Sequence, residues 1–285
     1  MQIKNSELVL REDGSVYHLA LKPEDIFDTI ITVGDQNRVE QVSRHFDRLI
    51  VSKQCREFKT HSGYIGNKGI TVISTGIGPD NIDIVLNELD VLRNFNLETR
   101  EINPTLKQLE IIRLGTSGAV RKEIETGSIV ISAGSVGLDG LMHFYDYPES
   151  EITDSLLSWD IPWPVKPYFA WSDESLRNRF AHLGYQGITI TAGGFYGPQS
   201  RSLRIPSREG DLIDLLSERT IDDFHFSNME METSAIYGLG KALGHKALSI
   251  NCILANRKAG TFVSDYKILI DKMIQSALEI ITTLE

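Results

Sequence analysis

A chain of 285 residues, 41% hydrophobic and 24% charged, has room for one large α/β domain or two small ones and is ordinary for a globular protein. Its net charge of −10 excludes a general nucleic-acid surface and requires that any anionic ligand be held by a local cluster of arginines. Cys55 and Cys252 make neither a disulfide framework nor a metal motif, no apolar run reaches membrane-span length, and the first ten residues lack a signal-peptide layout, so a reduced, cytoplasmic protein with no membrane partner is expected.

Residues 1–15 are polar, carry the turn pair Asp13-Gly14 and read as a flexible lead-in. Ordered structure begins at Val16-Tyr17-His18-Leu19. The β-branched run over 26–33 predicts a buried strand. It feeds Gly34-Asp35-Gln36-Asn37-Arg38 and a helix over 39–46. A glycine turn after a strand leaves backbone N–H groups facing outward, and Arg38 joins them in the first helical turn, which makes an anion cradle. The turn is not G-x-G-x-x-G, so the dinucleotide fingerprint is absent. Three more strands are predicted over 49–53, 56–65 and 69–75. The last ends in Gly76-Ile77-Gly78-Pro79, with Pro79 suited to the first turn of a helix over 80–94. The polar stretch 94–107, with Pro104, reads as an insertion.

The strand over 109–114 carries Arg113 at its end, against Gly115-Thr116-Ser117-Gly118. A buried arginine is expensive unless paired. Two readings stand: a structural ion pair, or a ligand-binding arginine beside free hydroxyls and N–H groups. A strand follows over 127–134. Residues 141–168 hold four prolines with Trp159 and Trp163, and read as an irregular surface insertion, a lid or interface element packed through its aromatics. A helix over 172–183, capped by Ser172, and a strand over 186–191 lead to a loop carrying Phe195, Tyr196, Gln199 and Arg201. A planar heterocycle could stack on the rings and hydrogen-bond to the amide and guanidinium; the alternative is a long aromatic surface loop.

Residues 208–216 read as helical. Then a strand over 224–227 meets a helix over 234–243 at Asn228-Met229-Glu230-Met231-Glu232-Thr233. Paired carboxylates at such a corner suit the adjacent hydroxyls of a ribose, because an ionised carboxylate only accepts. Acids at a helix start also favour its dipole, which is the second reading. A strand over 246–254 ends in Ala255-Asn256-Arg257, and an amphipathic helix from about 262 closes the chain. Strands and helices alternate throughout, so the fold class is α/β in one domain, 16–285, with candidate site stretches at strand ends, where open α/β sheets bind ligands. The seven histidines show no ligand spacing, so no metal site is expected.

Seven of these stretches, in order, resemble motifs of the nucleoside phosphorylase-I superfamily, and within it the uridine phosphorylase branch. The resemblance implies a single-domain three-layer αβα fold with a central mixed, twisted sheet. Gly34 to Arg38 is similar to the first phosphate loop, with Gln36 where that motif has proline. Arg113 to Gly118 resembles the second phosphate motif, which brings in Thr116. Ser74-Thr75-Gly76-Ile77-Gly78 resembles the family's glycine-rich turn. Val16 to Leu19 and Arg56-Glu57-Phe58 resemble segments that cross into a neighbour's site, His18 near the ribose 5′-hydroxyl and Arg56 at phosphate. The loop from Phe195 to Arg201 is similar to the one that marks the uridine branch, where Gln199 and Arg201 would bind the uracil edge with Phe195 beside them. Glu230-Met231-Glu232 resembles the ribose site, with Met231 lining it and Glu232 taking the ribose hydroxyls. Arg257 stands where purine-specific relatives carry an acid, which favours a pyrimidine.

The implied reaction is reversible phosphorolysis of uridine, or deoxyuridine, to uracil and ribose 1-phosphate in pyrimidine salvage. Phosphate is a co-substrate and no cofactor is implied. Asn81 replaces a serine of the family's monovalent-cation site, leaving that cation an open alternative. The expected assembly is a homo-oligomer, at least a dimer with shared sites, the hexamer being the family's larger form. The alternatives are a phosphorylase of another nucleoside, a water-using nucleosidase, and a non-catalytic nucleoside- or phosphate-binding protein.

Overall fold

The β-branched runs of the first half form parallel strands buried on both faces, as a sheet covered by helices on each side requires. The computed structural model describes residues 3–148, 150–208 and 212–283. Its elements are β1 (Thr29–Val33), α1 (Gln36–Ser43), β2 (Arg48–Cys55), β3 (Phe58–Ile65), β4 (Lys68–Ser74), α2 (Pro79–Asn94), the short hairpin β5 (Phe95–Asn96) and β6 (Glu101–Ile102), then β7 (Glu110–Ala119) and β8 (Ile129–Leu138). They continue with α3 (Glu151–Ser158), β9 (Tyr168–Trp171), α4 (Glu174–Phe180), β10 (Tyr185–Ala192), α5 (Leu212–Ser217), β11 (Thr220–Ile221), β12 (Phe224–Glu230), α6 (Thr233–Ala242), β13 (Lys246–Asn256), β14 (Thr261–Phe262) and α7 (Lys267–Thr282).

The strands join in one mixed sheet in the order β11-β12-β10-β8-β13-β7-β1-β4-β3-β2, with β9 on β8 and β14 on β13. Along β1, Ile30 packs into a core with Ile82, Leu86 and Leu89 of α2 and Ile236 of α6. Its neighbour Ile31 packs into a second core with Val39 of α1, Phe180 of α4 and Met273 and Ile274 of α7. This alternation gives the expected three layers. One feature was not expected. The end of β12 turns back onto β7, pairing Asn228 with Ala119 and Met229 with Gly118, so that β7, β13, β8, β10 and β12 close into a ring. Register shifts at Gly187/Ile188, Ile188/Thr189 and Ile253/Ala255 allow the curvature.

Several element boundaries differ from the sequence-based expectation. β7 runs on through Gly115 and Gly118, past the end expected at 114, because β13 pairs with it along its whole length. The helix expected from 172 begins at Glu174, capped by Asp173, which accepts the Leu176 N–H at 2.9 Å; the Ser172 hydroxyl instead donates to the Ala133 carbonyl. The helix expected over 208–216 is described from Leu212; Arg208 lies in a bend, and residues 209–211 lie outside the described residues. α7 starts at Lys267, later than expected, because Thr261 and Phe262 pair with the end of β13. The 141–168 stretch does pack through its aromatics, with Trp159 against Phe226 at 6.1 Å, but it also forms α3 and delivers β9 to the sheet, and Leu156 and Ile161 are core residues. Along the lead-in, the Ile3 N–H donates to Arg100, Leu10 bridges to Val16, and Leu8 and Ser15 are buried. Among the described residues, no helix is long and apolar enough to cross a membrane.

Candidate functional site

A cavity of about 620 Å³ opens at the carboxyl ends of β1, β10, β12 and β13 and along the second half of β7. Ten of the twelve residues singled out in the sequence line it: Gly34, Arg38, Arg113, Thr116, Phe195, Gln199, Arg201, Met231, Glu232 and Arg257. His18 and Arg56 do not.

Gly34, Arg38, Arg113 and Thr116 form one group in the cavity lining. Asp35 caps α1 by accepting the Asn37 N–H at 2.9 Å, which fixes the first turn from which Arg38 enters. Arg38 is buried and donates to the Leu114 carbonyl at 3.2 Å. Burial and then the charge of Arg113 push its pKa down. Both effects penalise its positive charge, and an anion between the two arginines would relieve them.

Arg113 is deeply buried. Its Nη1 donates to Asn251 Oδ1 at 2.9 Å, and its Nη2 bonds to Glu232 Oε2 and lies 3.2 Å from Glu230 Oε2. Burial works against the charged form of Arg113, but Glu232 and Glu230 more than offset this and raise its pKa. Room for the guanidinium comes from Gly115, two residues on and on the same face of β7. A Cβ built there would fall 1.5 Å from Arg113 Nη1. Gly115→Ala is therefore expected to displace Arg113 and cost about 2 kcal/mol in a urea titration, the scale of an overpacked core.

The two carboxylates of the Glu-Met-Glu corner, both lining the cavity, have different partners. Glu230 serves the helix: it accepts the N–H groups of Glu232 and Thr233 at 2.9 and 3.1 Å and the Thr191 hydroxyl at 2.6 Å. Glu232 serves the cavity. Its Oε1 accepts the Gly78 N–H at 2.8 Å while Oε2 faces Arg113. Burial raises the Glu232 pKa and Arg113 opposes that rise. Gly78 can present its N–H because its φ of 103° is open to glycine and closed to most side chains.

Phe195, Gln199, Arg201 and Arg257 form a second group in the lining, joined by their own contacts. The Arg201 guanidinium lies 3.8 Å from the centre of the Phe195 ring and donates to the Phe195 carbonyl at 2.7 Å and to Gln199 Oε1 at 2.6 Å. Arg257 donates to the Gln199 carbonyl at 2.9 Å. Burial, then the charge of Arg257, lowers the Arg201 pKa to about 10, so it remains cationic at neutral pH. Exposed Phe262 and Ile77 border the same cavity.

His18 and Arg56 sit together elsewhere. His18 Nδ1 is 2.6 Å from Glu88 Oε1, its ring meets Tyr17 edge-on at 4.9 Å, and Arg56 lies 5.9 Å over the Tyr17 ring. Arg56 holds a φ of 55° at the turn between β2 and β3, a conformation that L side chains adopt at a cost. Sequence reasoning missed Asn251 and Phe262; it named Gly78 without its bond to Glu232, and it did not choose between Glu230 and Glu232 at the start of α6. The available signal for Asn251 was a polar amide inside an otherwise apolar strand. Among the described residues, no group of three or more His, Cys, Asp or Glu side chains could hold a metal ion.

Two pairs of cations, Arg38 with Arg113 and Arg201 with Arg257, and the Glu232 carboxylate line one cavity, which suits a ligand carrying anionic or electron-rich groups and hydroxyls. The Phosphorylase superfamily profile matches residues 28–283. The uridine phosphorylase of Thermococcus kodakarensis is 30% identical over 260 residues, spanning 88% of this chain and 81% of that one. That of Haemophilus influenzae is 27% identical over 258 residues, 86% of this chain and 87% of that one. A solved nucleoside phosphorylase of Trypanosoma brucei, described as showing uridine phosphorylase activity, superposes with a TM-score of 0.85 at 25% identity, covering 96% of this chain and 98% of that one.

Proposed function

Because the chain belongs to the Phosphorylase superfamily, we propose that it catalyses the reversible phosphorolysis of uridine to uracil and ribose 1-phosphate. The observation that carries this reading is that one cavity gathers Arg38 and Arg113, the Glu232 carboxylate bonded to Arg113, and the group Gln199, Arg201 and Arg257. Those groups suit phosphate, ribose and uracil respectively. Uridine phosphorylases among the relatives support the same choice of base.

Phosphate is itself the nucleophile, so the protein supplies orientation and electrostatic stabilisation rather than a covalent intermediate. Arg38 and Arg113 hold the dianion with Thr116 and the Gly34 backbone. Glu232 accepts the ribose hydroxyls beside Met231. Gln199 meets the N3–H and O2 edge of uracil. Arg201, backed by Arg257, stabilises negative charge as it builds on the departing base. The reaction needs phosphate as co-substrate and no resident cofactor. The stretch Ala255-Asn256-Arg257 carries no acid that could protonate a purine N7. Uracil release from uridine, followed by ultraviolet absorbance, is expected only when inorganic phosphate is present, and inosine is expected not to react. Release without phosphate would instead establish a nucleosidase and leave Arg38 and Arg113 without a role.

His18 and Arg56 bear on assembly. Their shared patch lies outside the cavity of their own chain, which fits residues lent to a second copy in a homo-oligomer, at least a dimer. Subunit mixing tests this. Arg56→Ala and Arg113→Ala proteins, each inactive alone, are expected to recover about a quarter of wild-type activity after co-refolding, because half the dimers are hybrids with one intact site of two. No recovery in hybrids shown to have formed would place each site within one chain. Both cysteines are free thiols, in keeping with a cytoplasmic setting.

A further inference from the structure

β13 reads as a buried apolar strand with two polar residues in its middle, Ser249 and Asn251, on one face. Asn251 is fully buried and pairs in register with Gly115 of β7. A primary amide in such a place is costly unless each end finds a partner. The Nδ2 group of Asn251 donates to Ser249 Oγ at 3.1 Å and lies 3.4 Å from Ser132 Oγ. Ser249 Oγ in turn accepts the Thr233 hydroxyl at 2.9 Å. With the amide nitrogen committed to hydroxyls, Oδ1 faces Arg113 Nη1 at 2.9 Å. The guanidinium is thus held at one corner by a neutral oxygen and at another by Glu232 and Glu230.

We propose that Asn251 is a positioning residue for phosphate binding: it fixes the guanidinium of Arg113 across Gly115 through a neutral acceptor, without cancelling the charge that binds the anion. This rests on the reading of Arg113 as a phosphate ligand. The chemistry at Asn251 is specific. Two carboxylates already face Arg113, and a third acceptor bearing charge would compete with phosphate for the same N–H groups. An apolar residue would leave Nη1 without its anchor and let the guanidinium fold toward the carboxylates.

The test is calorimetric titration of inorganic phosphate, and separately of uridine in phosphate-free buffer, into the wild-type protein, Asn251→Ala and Asn251→Asp. Asn251→Ala is expected to weaken phosphate binding about tenfold, the scale of one lost hydrogen bond to a charged group. Asn251→Asp is expected to weaken it about tenfold further, although aspartate is the closer isostere, because its carboxylate pairs with Arg113. Uridine affinity is expected to change less than phosphate affinity in both. Equal losses for phosphate and uridine, or phosphate affinity in Asn251→Asp matching the wild type, would overturn the proposal and leave Asn251 a packing residue. Should Asn251→Asp fail to fold, the phosphate-against-uridine split in Asn251→Ala decides. A wild-type protein that binds phosphate but releases no uracil would defeat the phosphorolysis reading alone, with the titrations still deciding the role of Asn251.

Discussion

Replacing Arg113 with alanine is expected to lower kcat/KM for phosphorolysis by about a thousandfold or more and to destabilise the fold by about 3–5 kcal/mol. The two effects have one origin. Arg113 is the counter-charge to Glu230 and Glu232, all three buried at the corner where β12 meets α6. Without it two carboxylates face each other in a low-dielectric interior, and one must take up a proton or the corner must open. The folded-state carboxylate pKa then rises above its unfolded value. The variant's stability deficit should therefore shrink as pH falls toward 5, where protonation is less costly, and grow as pH rises. Urea titration across that range checks the sign, and steady-state uracil release checks the rate. Arg113→Lys separates charge from geometry. A single ammonium restores much of the charge balance but cannot reach Asn251, Glu232 and phosphate together as a planar fork does. It is expected to recover stability and leave the phosphate KM high. An alanine variant with an unchanged phosphate KM would remove Arg113 from the phosphate site.

The same residue shows what the sequence makes legible. Arg38, Gln199 with Arg201, Glu232 and Arg257 come from separate stretches of the chain, yet each adjoins a glycine turn or a strand end, and in an α/β sheet those ends converge; Arg113 instead faces the cavity from within β7. That rule was enough to collect most of the cavity before its geometry was known. It could not divide the work between Glu230 and Glu232. Which carboxylate covers the N–H groups at the start of α6 depends on how β12 bends as it closes onto β7, and that bend comes from register shifts in strands remote in sequence. Nor could it find Asn251. A lone asparagine in an apolar strand indicates a buried partner, but not which of the neighbouring strands provides it. For Arg113 the ion-pair reading holds, because its guanidinium is paired with carboxylates; it also lines the cavity, and the ligand-binding reading rests on the phosphate titrations.

Arg201→Ala is expected to lower kcat at least a hundredfold while leaving stability within about 0.5 kcal/mol of wild type. The argument begins with where charge develops. As the C1′–N1 bond breaks, electrons pass into the uracil ring and accumulate on its carbonyl oxygens, so a donor aimed there acts mainly in the transition state and affects kcat more than KM. Arg201 is placed for this. Phe195 lies beneath its guanidinium, Gln199 shares an oxygen with it, and burial together with the neighbouring charge of Arg257 makes its cation costly. That cost is recovered when negative charge appears opposite it. Among the described residues its side-chain hydrogen bonds stay within its own loop, to the Phe195 carbonyl and Gln199, and it is only half-buried, so its removal leaves no core cavity. Removing one such donor costs about 3 kcal/mol in the barrier. A leaving-group series tests the assignment more sharply than one rate. For 5-fluorouridine the departing base is a weaker base and needs less stabilisation, so the loss caused by Arg201→Ala should be smaller than with uridine. The same fractional loss with both substrates would mean that Arg201 orients the base without stabilising its departure, and a near-normal kcat with uridine would remove it from the reaction.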